Sequence, residues 1–171
     1  MSRLRAAYRW LAAPSRRFVP LFLAYLWILT ALAERLPGRA LGWLLERTAW
    51  LDAQLLGLFS DRVEHAGIVV RLDGFAVQVV AECIGLFEAL ILAAAVLAYP
   101  ARWRERLQGV VLGSAALYLL NVLRIAFLLV IGRHAPDFFE FAHVYLWQTL
   151  LVLFIAPLWL AWIRFCVRGE A

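Results

Sequence analysis

The chain of 171 residues is 65% hydrophobic with a formal net charge of +5 at pH 7; its apolar residues gather in several long runs, which excludes a soluble globular domain and points to a polytopic membrane protein. All 17 basic residues are arginine and sit mainly beside the apolar runs, where they set orientation across a bilayer, so nucleic-acid binding is set aside. The length suits one compact helical bundle, a single integral membrane domain over 1–171 without repeats or a low-complexity tail.

Met1 to Arg17 carries Arg3, Arg5, Arg9, Arg16 and Arg17 and no acid, and Phe18 to Ala33 is uninterrupted apolar. This reads as a cytoplasmic basic leader followed by a first span at about 18–36. Ala31-Leu32-Ala33 before Glu34 has the form of a signal-peptidase site, but the apolar run exceeds the usual h-region of roughly 7 to 15 residues. Cleaved or not, Glu34 falls outside the cytoplasm.

The outer region, 37–82, lacks the positive excess of a cytoplasmic loop. Within it Leu41, Leu44, Leu45, Leu51, Leu55 and Leu58 recur at roughly helical intervals, with Trp43 and Trp50 one heptad apart and Glu46, Arg47, Asp52 and Gln54 interleaved. The pattern predicts an amphipathic helix on the outer membrane surface; a short re-entrant or tilted helix competes with it. Ile68 to Leu72 and Phe75 to Ala81 are valine-rich and flank Asp73-Gly74. A two-residue Asp-Gly connection is a strong hairpin signal because both turn residues need positive φ. A small β-hairpin is expected, either fixing the chain before Cys83 or offering an edge to an extended peptide; a simple loop lid is the alternative.

The second span is expected at about 84–99, ending before Pro100, with Arg102, Arg104 and Arg106 in a short cytoplasmic loop. The third, 107–131, opens with Gly109 and Gly113 four apart, a step that lets helices approach closely. The same face continues through Leu117, Asn121, Arg124 and Leu128, so both polar residues belong to the packed side. A short outer loop, 132–142, holds Arg133, His134, Pro136, Asp137 and Glu140, and a fourth span, 143–165, is interrupted by Pro157 and ends near Arg164 and Arg168. The predicted fold is an all-α membrane protein: a bundle of about four transmembrane helices with an outer amphipathic helix, a small β-hairpin and both termini cytoplasmic.

Depth brings three chemistry-bearing residues together. Cys83 heads a descending span and His143 heads the fourth, both at the outer mouth, while Arg124 lies seven residues below Ile131, or about 10 Å at the helical rise. A thiolate favoured by a neighbouring cation, an imidazole to carry its proton and a guanidinium for a developing oxyanion are the parts of nucleophilic acyl transfer. The blander readings are a packing cysteine and an arginine that only pairs with an acid. Cys83 and Cys166 fall at opposite membrane faces and cannot form a disulfide within the chain. Close His/Cys/acid spacing for a metal is missing apart from His134 to Glu140, whose side chains a loop could hold in any direction, so neither a metal nor a cofactor is expected.

The ordered set Cys83-Ile84-Gly85, Asn121-Val122-Leu123-Arg124 and His143 resembles the exosortase/archaeosortase family of polytopic cysteine transpeptidases, over about Ile68 to Phe154. The resemblance implies Cys83 as nucleophile with Arg124 and His143 catalytic, and Asn121, Gly85 and Glu88 are the supporting candidates. It also implies as partners exported proteins with a C-terminal transmembrane sorting signal, cleaved through a thioester and passed to an acceptor at the outer face of the plasma membrane. Ile84 stands where the family commonly has a small hydroxylated residue, and Glu88 stands near the position of a frequent arginine. Glu88, inside an apolar span, is expected to pair with Arg124. A non-catalytic membrane assembly subunit and a small transporter subunit remain the alternatives.

Overall fold

The computed structural model describes residues 14–167, with side chains from Arg17 onward. The basic leader's Arg3, Arg5 and Arg9, the side chain of Arg16 and the C-terminal Arg168 lie outside that description. Helix α1 (Pro14–Ala33) is followed by α2 (Gly38–Gly57), strands β1 (Val63–Ala66), β2 (Val69–Leu72) and β3 (Phe75–Gln78), and a 3-10 turn (Ala81–Cys83). Then come α3 (Leu86–Ala98), α4 (Trp103–His134), α5 (Pro136–Glu140), a π-helical segment (Phe141–Leu146), α6 (Trp147–Trp162) and a second π-helical segment (Ile163–Val167).

Among the described residues two helical stretches are long and apolar enough to cross a membrane, Trp103–His134 and Pro136–Val167, and α1 with α2 makes a third if the two are one broken span. The expected second span is met by α3, whose 13 residues reach about 20 Å against a hydrocarbon core of about 30 Å. The count of four spans is therefore not reached on length and composition. Two boundaries differ for local reasons. The expected outer loop at 132–142 is largely helical, because α4 runs on to His134 and Pro136 stands at the first position of α5, where its missing N–H costs nothing. Pro157 sits inside α6 without ending it, as membrane helices tolerate when neighbouring groups take up the freed carbonyl.

The chain packs as two compact units. In the first, described over 14–35, 89–114 and 155–167, aromatic rings are the cement: Tyr99 meets Trp159 and Trp162 edge-on at 5.8 and 5.7 Å, and Phe18 lies 5.4 Å from Trp159. The two small residues predicted to allow close approach do so. A side chain at Gly109 would strike the Trp162 indole, and one at Gly113 would strike Leu92. The Trp162 Nε1–H donates to the Glu105 carbonyl at 2.8 Å.

The second unit, 36–88 with 115–154, holds the motifs. Its sheet has strand order β1-β2-β3, both pairs antiparallel. Asp73 and Gly74, at φ of 50° and 91°, form the predicted two-residue turn, with Leu72 opposite Phe75. The structure adds β1, joined to β2 through Gly67 at φ of 58°. Arg133 pairs with Asp73, at 2.6 Å, and Arg62 joins the same carboxylate at 3.1 Å. A core of Ala49, Leu56, Val70, Leu72, Val79, Ile84, Ile125 and Leu129 closes beneath the sheet.

Helix α2 is amphipathic, but its buried stripe is Thr48, Ala49, Asp52 and Leu56, while Trp43 and Trp50 are exposed. Thr48 Oγ1–H donates to the Leu44 carbonyl at 2.8 Å, and the hydroxyl meets that of Tyr118 at 3.0 Å. Asp52 is fully buried, and neither of its carboxyl oxygens has a hydrogen-bond partner among the described residues.

Candidate active site

Cys83 closes the 3-10 turn that joins the sheet to α3. On its upstream side the Val79 N–H donates to the Ile68 carbonyl at 2.8 Å, and the Cys83 N–H donates to the Val80 carbonyl at the same distance. On its downstream side Gly85 turns the chain at φ of 68°, a left-handed conformation that side chains disfavour. A Cβ there would run into the carboxamide of Asn121, meeting its Cγ at 2.9 Å. The Cys-x-Gly and Asn-x-x-Arg motifs, 36 residues apart from Gly85 to Asn121, thus pack directly on one another, backbone against side chain.

Asn121 is fully buried on α4. Its Nδ2 donates to the Leu117 carbonyl at 2.9 Å, and its Oδ1 has no partner among the described residues. The four residues predicted to share a face of α4, Leu117, Asn121, Arg124 and Leu128, are all buried. Arg124 is only 5% exposed and makes no ion pair among the described residues; its Nε is buried without a hydrogen bond. A buried guanidinium without a counter-charge is costly unless an anion visits it.

Arg124 lines a cleft of about 350 Å³ together with Glu82, Phe87, Glu88, His143, Val144 and Gln148. His143 lies in the π-helical segment, half-buried, its ring stacked on Phe139 at 5.7 Å with planes 19° apart. The stacking braces the imidazole in the cleft that Arg124 also lines. His134 ends α4 instead of lying in a loop, is exposed, and among the described residues engages the Val130 carbonyl, at 2.9 Å.

Two expectations change at this site. Cys83, expected to face outward from a span's mouth, is 4% exposed and belongs to the apolar core, while its neighbour Glu82 faces the cleft. A thiol is a small apolar group, and with β3 anchoring it from one side and Gly85 from the other the turn points it inward. The expected Glu88–Arg124 ion pair is not formed among the described residues, although both groups line the cleft. Glu88 occupies the first turn of α3, where free backbone N–H groups and the helix dipole favour a carboxylate without a cation.

Sequence reasoning did not single out Gln148 or Phe87 as cleft residues. Gln148 carried a signal, a lone amide in the apolar run predicted as the fourth span. The arrangement offers a cation, an imidazole and two carboxylates around a volume large enough for a short peptide segment, and Cys83 follows the lining residue Glu82 in the chain.

A family model described as transmembrane exosortase matches residues 4–162, nearly the whole chain. No curated protein and no solved structure matches the chain significantly.

Proposed function

The chain belongs to the transmembrane exosortase family, and from that premise we propose that it is a membrane-embedded cysteine transpeptidase that removes a C-terminal sorting signal from exported proteins. The observation that carries this reading is the buried, unpaired Arg124 guanidinium sharing a cleft with His143, next to the pinned turn that bears Cys83.

In the proposed reaction His143 takes the Cys83 proton and the thiolate attacks a substrate carbonyl. The tetrahedral oxyanion receives hydrogen bonds from Arg124; losing one such donor typically costs about 10² to 10³ in rate. Collapse expels the C-terminal fragment as an amine that collects the proton from His143. The remaining thioester then passes its acyl group to an acceptor amine, and Cys83 recovers its proton. Because Cys83 is nearly covered, the turn must open or the substrate must draw the thiol into the cleft before attack. The arginines beside the apolar segments support cytoplasmic termini and an active site at the outer face of the plasma membrane.

The burial of Cys83 favours one rival reading, an assembly subunit in which the thiol only packs. Comparing the membrane and secreted proteins of wild-type and Cys83→Ala host cells by mass spectrometry separates the two. Accumulation of unprocessed exported proteins with an apolar C-terminal helix supports the peptidase. Identical profiles, with the variant present in the membrane, refute it.

A further inference from the structure

The sheet has two edges, and they are built differently. Leu72 stands opposite Phe75 across the Asp73-Gly74 turn, Val70 opposite Val77, and Ile68 takes the Val79 N–H. The pair flanking a two-residue turn is hydrogen-bonded, and bonded pairs alternate with unbonded ones along an antiparallel ladder. Phe75, Val77 and Val79 therefore direct their backbone groups to β2. Ala76, Gln78 and Val80 direct theirs away from it, the Val80 carbonyl excepted, which accepts the Cys83 N–H. By the same alternation β1, whose Ala66 stands opposite Val69, turns the backbone groups of Val63 and His65 to the opposite edge.

Exposed strand edges are ordinarily protected by charge, proline or a bulge. The β1 edge follows that rule, with exposed Glu64 tied to Arg71 at 3.0 Å and exposed His65 beside it. The β3 edge does not: Phe75-Ala76-Val77-Gln78 carries no charge and no proline, its Ala76, Gln78 and Val80 are exposed, and the described residues supply no fourth strand. This open edge runs, within three residues of Val80, into Cys83, and Glu82 between them lines the cleft with Arg124 and His143.

We propose that the β3 edge, through the backbone groups of Ala76 and Gln78 and the Val80 N–H, binds an extended segment of the substrate polypeptide as a fourth strand and delivers it to the cleft beside Cys83. A strand so added lies about 4.8 Å from β3 and takes its affinity from main-chain hydrogen bonds at alternate residues, leaving sequence preference to the cleft. The inference rests on the transpeptidase reading above.

The test uses the full-length protein in host membranes and the exported proteins that accumulate unprocessed in Cys83→Ala cells. Gln78→Pro removes an N–H that points to the open edge and belongs to no ladder bond, and His65→Pro does the same on the other edge. Gln78→Pro should slow processing at least tenfold, with iodoacetamide labelling of Cys83 in detergent unchanged, and His65→Pro should stay within twofold of wild type. Equal losses from the two variants, or wild-type processing by Gln78→Pro, overturn the proposal. Should Gln78→Pro fail to accumulate, a benzophenone side chain at position 78 in the Cys83→Ala background decides. An adduct with the unprocessed proteins from position 78 and not from 65 supports the edge, and an adduct from 65 alone or from neither overturns it. If Cys83→Ala leaves no protein unprocessed, the transpeptidase reading has failed and this one falls with it; if unprocessed proteins accumulate and only the edge variants are silent, the edge alone is wrong.

Discussion

Gly85→Ala is the most direct probe of how the cysteine turn is held. The added methyl meets two penalties that can be separated. Left-handed backbone at φ of 68° costs a non-glycine residue roughly 1 to 2 kcal/mol. The new Cβ also drives into the Asn121 carboxamide, coming within 2.9 Å of its Cγ, and overpacking of this kind costs typically about 1 to 3 kcal/mol. The single change should therefore destabilise the protein by about 2 to 5 kcal/mol. Asn121→Ala removes the obstruction but leaves the φ penalty. By itself it gives up the bond to the Leu117 carbonyl, while its unpartnered Oδ1 gives up nothing, so its own cost should be near 1 kcal/mol. The double variant should then be more stable than the two single losses summed, by about 1 to 3 kcal/mol. Thermal or denaturant unfolding in detergent, followed by tryptophan fluorescence across the four proteins, measures that coupling. Additivity within about 0.5 kcal/mol would mean that Gly85 and Asn121 do not touch, and the account of how the two motifs lock the turn would be refuted.

Other consequences are checked more briefly. In detergent, a maleimide should modify half-exposed Cys166 faster than Cys83, which is nearly buried; equal rates would contradict the inward-pointing turn. His143→Ala should reduce processing by about 10² to 10⁴ as the loss of a general base does, whereas His134→Ala, which loses only an exposed contact to Val130, should stay near wild type. A reversed order would move the site to the end of α4. Asp52→Ala should stabilise the protein by about 1 to 3 kcal/mol, since it removes a buried carboxyl whose oxygens have no partner; a loss of stability would reveal a role for that acid.

Class, the Asp73-Gly74 hairpin and the packed face of α4 were legible in the residues because each rests on local chemistry: run hydropathy, the φ demands of a turn, and helical spacing. Strand β1 was not, because Val63-Glu64-His65-Ala66 has three of its four residues exposed and so shows no alternation of apolar and polar residues. The leucines of α2 predicted an amphipathic helix on the membrane surface; the structure packs Leu41, Leu44, Leu45 and Leu55 against the core, buries Thr48 and Asp52 with them, and leaves Trp43 and Trp50 outside. Lipid is as apolar as a protein core, so in a membrane-associated helix apolar character does not say which side packs. Site membership divides in the same way. The sequence determined that Cys83, Asn121, Arg124 and His143 are present in that order on successive segments. Only the tertiary structure decided that Gly85 rests on Asn121, that Arg124 and Glu88 share a cleft without pairing, and that the thiol points inward. Those facts depend on which residues far apart in the chain reach one another, and hydropathy and spacing carry no record of that.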